Sequence, residues 1–197
     1  MQFVASSPDF VEIVEGPHYK IDIRYASENN FVGHNMYGPF RQAYVHRLTA
    51  EKLENAREWL VTHHPDHRFV IFDALRPRSI QRILWENVVG TPGEKYIANP
   101  NNGSLHNFGF AIDLSVLDPS GLELDMGAGF DDFREIAQPQ LEQRFLAEGL
   151  LTKAHLFNRR ILRHAMESAG FIQLPHEWWH FDALPKTEVR ARFQIVE

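Results

Sequence analysis

Two short segments hold the residues with chemistry to offer. The run from Ser104 to Asp113 reads SLHNFGFAID and supplies an imidazole at His106 and a carboxylate at Asp113. The run from Glu177 to His180 reads EWWH and supplies a second imidazole, with a carboxylate three residues before it. Two His and one Asp form a three-ligand zinc set that leaves a fourth coordination position for water. A carboxylate left beside that water has the chemistry of a general base. The combination points to metal-assisted hydrolysis.

Each segment alone has a plainer reading. His106 could belong to a polar loop, and His180 could be a core histidine among aromatics. Together they weaken those readings. An Asp in an apolar strand and a His in an aromatic one are both costly to bury unless paired or metal-bound, and a shared metal answers both. Glu177 and His180 would point to opposite faces of a regular strand. They share a site only if the chain is still turning at Glu177, which Pro175 upstream allows. Otherwise Glu177 faces solvent at a strand start. Arg76, before Pro77, is either a surface cation or one held at a strand end and aimed at the site. The densest histidine group, His63, His64 and His67, reads as a solvated helix end. His155 and His164 read as surface residues, and His18, His34 and His46 lack a partner at useful spacing.

These residues need elements to position them. Leu53, Ala56 and Leu60 make a helical stripe, with Thr49 as N-cap and an end before Pro65. Arg68 to Asp73 is a buried strand, and Ser79 to Val89 a second helix. Residues 90–103 form a loop. Phe110, Ile112, Leu114 and Val116 fall on one face of a strand; Ala111, Asp113 and Ser115 fall on the other, where a metal could sit. Gly109 allows close backbone approach. Asp118 to Gly121 is a turn with a hairpin partner from Leu122. Residues 125–150 are irregular or partly helical. Asn158 to Ala169 is a helix closed by Gly170, and Phe171–Leu174 and Trp178–Asp182 are strand-like. Residues 18–46 form an irregular layer with short strands. Without regular β-α-β alternation, the fold class is α+β: one domain over 1–197, a central antiparallel sheet with helices packed on it.

Bulk properties narrow the classes. At 197 residues, 44% hydrophobic and 23% charged, the chain is an ordinary globular one. Its net charge of −6, with no long basic run, argues against nucleic acid as a partner. No apolar run reaches the roughly 18 residues of a membrane span. The first residues lack the features of a signal peptide, so a cytoplasmic location is expected. Cysteine is absent, which removes thiolate zinc sites, iron–sulfur clusters and Cys nucleophiles.

The pattern Ser104-x-His106-x-x-Gly109-x-Ala111-x-Asp113 with Glu177-x-Trp179-His180 resembles the signature of the zinc D-Ala-D-Ala dipeptidases, the VanX-type branch of the D,D-peptidase superfamily. The likeness extends to Arg24-Tyr25-Ala26, Asn30-Phe31 and Gly33; to Asp73-Ala74-x-Arg76-Pro77, with Leu75 where Tyr is usual; to Met126-Gly127 and Phe130-Asp131; and to Asn158-Arg159-Arg160 with Gly170-Phe171. The resemblance implies one Zn2+ per chain, held by His106, Asp113 and His180 in a hedgehog/D,D-peptidase-like site. It implies Glu177 as general base and Arg76 as oxyanion stabiliser. Tyr25 and Asp131 would bind the substrate ammonium, and Ser104 would lie near the substrate, a small D,D-dipeptide. Two other readings are a peptidoglycan carboxypeptidase or endopeptidase of the same superfamily and a non-catalytic zinc-binding module. Leu75 and Asn107-Phe108 depart from the usual residues and bear on pocket shape.

Overall fold

The computed structural model describes residues 2–197; Met1, part of the start read for a leader, lies outside them. A short helix α1 (Gln2–Ser6) precedes β1 (Phe10–Ile13), which pairs antiparallel with β3 (Ala43–His46) in a two-stranded ribbon. The main sheet holds β2 (Tyr19–Ile21), β4 (Arg68–Asp73), β5 (Ala111–Leu117), β7 (His180–Asp182) and β6 (Ile172–Gln173), in the order β2-β4-β5-β7-β6. The architecture is α+β, as the sequence predicts. The sheet is antiparallel except at one edge, where β2 runs parallel to β4. The connection from β2 to β4 is long enough to return the chain in the same direction, which a hairpin cannot do.

Two helices, α2 (Arg47–His63) and α5 (Lys153–Ser168), supply Leu53, Ala56, Leu60, Leu162, Ala165 and Met166 to the same core as β4 and β5. All seven residues of β5 are buried, so its polar side is enclosed as fully as its apolar one. Three further helices, α3 (Arg78–Val88), α4 (Glu142–Ala147) and α6 (Lys186–Arg192), surround this frame. The turn at Asp118–Gly121 forms, with the Asp118 carboxylate accepting from the amides of Ser120 and Leu122. Its returning strand is reduced to a bridge between Leu117 and Glu123.

Two helix starts differ from expectation. α2 opens at Arg47, and its cap is His46, whose Nδ1 accepts from the Leu48 amide at 3.2 Å. The Thr49 hydroxyl is buried and donates instead to the Gly109 carbonyl at 2.8 Å. That carbonyl also accepts from the His46 amide, and a Cβ at Gly109, where φ is +75°, would lie 2.7 Å from the His46 nitrogen. Gly109 thus welds the segment before β5 onto the start of α2, and no side chain fits there. His46, partnerless by sequence spacing, stacks on Phe110 in the interior. α5 opens at Lys153, five residues before the expected Asn158, because Thr152 and His155 cap each other reciprocally. A His in place of Glu or Gln at the third position hides that capping box.

Candidate active site

Three neighbouring strands bring the polar residues together. In register, Asp113 on β5 stands opposite His180 on β7 and opposite Asp73 on β4. The second pairing depends on a β-bulge between Ile71 and Asp73. The extra residue places Asp73, not Phe72, across from Asp113. His106 comes from a 3-10 turn, Leu105–Phe108, just before β5. Ser104 caps this turn, its hydroxyl accepting from the His106 amide at 3.4 Å, while Asn107 Oδ1 accepts from the Ser104 amide at 2.7 Å.

The tautomers follow from the outer partners. His106 Nδ1–H donates to the Ala74 carbonyl at 2.7 Å, so its Nε2 lone pair faces inward. His180 Nε2–H donates to the Asp182 carboxylate at 2.9 Å, so its Nδ1 faces inward. These two inward nitrogens are 3.2 Å apart. Asp113 Oδ1 lies 3.3 Å from the first and 3.0 Å from the second. Two lone pairs and a carboxylate oxygen aimed at one another call for a cation between them. His106, Asp113 and His180, all buried, are the group of His and acidic residues among those described whose donor atoms could hold a metal ion. The surrounding carboxylates favour positive charge at this point, whether a proton or a metal ion. Burial alone would lower the basicity of His180, but Asp182 and Asp113 raise it well above the ordinary imidazole range. Burial alone would raise Asp113, yet the two imidazoles hold it well below the usual carboxylate range.

Arg76 is buried three residues beyond the end of β4. Its Nε donates to Asp73 Oδ2 at 2.7 Å and its Nη1 to Gln81 Oε1 at 2.9 Å. Nη2 lies 2.6 Å from Asp73 and 3.6 Å from Asp113 Oδ2. Tyr37 donates to the other Asp73 oxygen at 3.1 Å. The guanidinium also sits 4.9 Å from the centre of the Tyr25 ring. A cation so clamped cannot swing, which suits a charge aimed at a fixed point.

Glu177 lies in the irregular link between two turns, not in a strand, and its carboxylate comes within 3.7 Å of His180 Nδ1. Chain curvature therefore removes the opposite-face problem. Burial raises its carboxyl to about 7. Asp131 is a second buried acid, raised to about 8 by desolvation although the Tyr25 hydroxyl donates to it at 3.0 Å. The Phe31 amide approaches its other oxygen at 3.4 Å. Asp131 holds a left-handed backbone with φ +60°. The loop carrying it is pinned from α5: Arg159, wholly buried, donates to the carbonyls of Met126 and Ile136 at 2.8 and 2.9 Å. The Trp178 indole, next to Glu177, donates to the Ala128 carbonyl of the same loop at 3.0 Å. A cavity of about 210 Å3 joins Tyr25, Arg76, Ser104, Asp131 and Glu177 to the three inward-facing donors.

Every residue singled out for the site lines this one cavity. The His63–His67 group does not; His63 stacks on Trp59 at 4.2 Å on the surface of α2. Sequence reasoning assigned no role to Asp182, Asp73 or Gln81. Asp182 had a usable signal, since residues two apart on a strand share a face and His180 was already in view. Asp73 stood in the Asp73-Ala74-x-Arg76-Pro77 segment without a role, because the bulge that aims it leaves no sequence pattern, and Gln81 had no signal at all.

The chain matches the family described as D-ala-D-ala dipeptidase over residues 6–196. It is 32% identical over 172 residues to the D-alanyl-D-alanine dipeptidase of Escherichia coli (strain K12), covering 84% of this chain and 79% of that protein. It is 30% identical to the protein of that name from Synechocystis, covering 72% and 70%, and 29% identical to the one from Enterococcus faecium, covering 86% and 87%. A match along almost the whole chain, together with a buried His, Asp and His group in a small polar cavity, places the protein in the D-ala-D-ala dipeptidase family of peptidases.

Proposed function

We propose that the protein hydrolyses the dipeptide D-Ala-D-Ala to two D-alanines, as a cytoplasmic enzyme with one zinc ion per chain. The observation that carries this reading is the convergence, in one cavity of about 210 Å3, of a metal-ligand set, a buried carboxyl near neutrality, a clamped guanidinium and a second buried acid. That volume is below the ~300–1,000 Å3 of pockets for drug-sized ligands, and suits a molecule as small as a dipeptide.

His106 Nε2, His180 Nδ1 and a carboxylate oxygen of Asp113 would hold the zinc. Bound there, zinc supplies a water acidified towards a pKa of ~7 and polarises a carbonyl. Glu177, raised to about 7, accepts the water proton and passes it to the leaving amine. Arg76, fixed by Asp73 and Gln81, balances the charge that develops on the carbonyl oxygen. Asp131, with Tyr25, receives the free ammonium of the substrate, and ionises because the ammonium arrives. Ser104, whose oxygen already accepts from His106, keeps its hydroxyl hydrogen for the substrate.

The test is a coupled D-alanine release assay on D-Ala-D-Ala and on the peptidoglycan pentapeptide, with and without chelator. Efficient, chelator-sensitive cleavage of the dipeptide and strong rejection of the pentapeptide are expected. Comparable kcat/KM on the two substrates would replace this reading with a carboxypeptidase. No cleavage of either by the zinc-loaded protein would replace it with a binding module.

A further inference from the structure

We propose that Tyr96 is the partition that limits substrate length at the amine end. The proposal rests on the dipeptidase reading and adds a steric filter to it. The catalytic cavity has a neighbour of equal size, about 210 Å3, lined by Lys95, Tyr96, Glu135, Gln138 and His176. Lys95 and Tyr96 line both cavities, so they form the shared wall. Lys95 is exposed, whereas Tyr96 is half-buried and held from both its ring and its hydroxyl. Its ring stacks on Phe133 at 5.1 Å with 5° between the planes. Its hydroxyl accepts from Gln138 Nε2 at 3.0 Å, and Gln138 is itself buried.

The rings show which end of the substrate the wall meets. Tyr25 contacts Phe31 at 6.4 Å, Phe31 contacts Phe133 at 5.0 Å, and Phe133 carries Tyr96. Tyr25 and the Phe31 amide are the two partners of Asp131. The aromatic run therefore leads from the ammonium anchor to Tyr96. The cavity beyond offers Glu135, Gln138 and His176, groups that suit the backbone and ammonium of one added residue. Longer peptides then meet two separate obstacles: Asp131 without an ammonium partner, and the Tyr96 ring in the way.

The experiment removes the obstacles one at a time. Tyr96→Leu keeps an apolar contact for Phe133 but withdraws the ring; Tyr96→Phe keeps the ring and loses only the hydroxyl. Both are made in the wild-type and Asp131→Asn backgrounds, with folding checked by thermal melting; Tyr96→Met replaces Tyr96→Leu if that variant does not fold. The substrates are D-Ala-D-Ala and Gly-D-Ala-D-Ala, and products are identified by chromatography. In the Asp131→Asn background, Tyr96→Leu is expected to raise the tripeptide-to-dipeptide ratio of kcat/KM roughly tenfold or more, the range by which pocket walls discriminate. The products should be Gly-D-Ala and D-Ala, and Tyr96→Phe should leave the ratio unchanged. An unchanged ratio in folded Tyr96→Leu, an equal gain in Tyr96→Phe, or release of free glycine would each overturn the proposal. Failure of the wild type on the dipeptide would instead sink the dipeptidase reading. Calorimetric affinities of the zinc-loaded variants for the same two peptides would then decide about the wall by the same ratio.

Discussion

Replacing Asp131 by Asn separates what the residue does for the ligand from what it does to the fold. The carboxyl ionises at about 8 in the folded protein against 3.8 ordinarily, because it is buried. In the unfolded chain it is ionised above about pH 4; folded, it keeps its proton to about pH 8. The native state therefore binds more protons across that window, and stability falls as pH rises through it. Between pH 6 and pH 8 the loss is about 2.3 kcal/mol, at ~1.36 kcal/mol per pH unit less the half ionisation already reached at pH 8. For a chain of this size that is roughly 5–10 °C in Tm, at ~2–4 °C per kcal/mol. Asn cannot ionise, so Asp131→Asn removes this fall. Asn also tolerates the left-handed backbone at this position (φ +60°), whereas Ala would add ~1–2 kcal/mol of strain and blur the comparison. The same substitution takes away the partner of the substrate ammonium. Breaking a buried pair costs ~3–5 kcal/mol, so kcat/KM on the dipeptide should drop roughly 10²–10⁴-fold. The assay pairs thermal melts of metal-free protein at pH 6 and pH 8 with D-alanine release at fixed pH. A variant that keeps the wild-type pH slope in Tm and the wild-type kcat/KM would refute both halves of the reasoning.

Alanine at His106 or His180 should abolish stoichiometric zinc binding, and Asn at Asp182 should weaken it ~10–100-fold by releasing the His180 ring, both read by competitive chelator titration; full zinc content in the alanine variants would remove the ligand assignment. Glu177→Gln should retain zinc while lowering kcat by ~10²–10⁴-fold or more, since the base serves twice; near-normal turnover with zinc retained would sink the role. Arg76→Lys keeps the charge but loses the fork that grips Asp73 and Gln81, so kcat should fall more than KM rises; steady-state kinetics showing a change in KM alone would indicate uniform substrate binding instead.

The site was legible where it follows periodicity and composition. Asp113 stood out as an acid in an apolar strand, and Gly109 as a point of close approach, because both break a local rule that only a partner or a packed backbone repairs. The carboxylate behind His180 escaped notice although strand alternation places Asp182 on its face. What could not be read depends on tertiary events. The bulge that turns Asp73 toward Asp113 and Arg76 is set by pairing between β4 and β5, not by the composition of either. Thr49 looked like a cap because it precedes an acidic first turn, yet the Gly109 carbonyl outcompetes the helix for its hydroxyl. The parallel edge pair of β2 and β4 likewise arises from a connection whose path the sequence leaves open.

The position of β5 has a consequence for how the protein breathes. This strand is hydrogen-bonded on both sides, to β4 and β7, and is covered on both faces. Its amides belong to the last cooperative unit to open, and exchange with solvent deuterium only when the whole domain unfolds. Asp113 lies in that unit and His180 in the strand paired with it, so these two donors cannot part through local fraying. Asp131 and Tyr96 lie on connecting segments without such ladders. The strands that would grip an ion are thus tied to global stability, while the half that would measure a peptide rests on side-chain clamps, Arg159 and Trp178 on one segment and Phe133 and Gln138 on the other, each of which a single substitution can release.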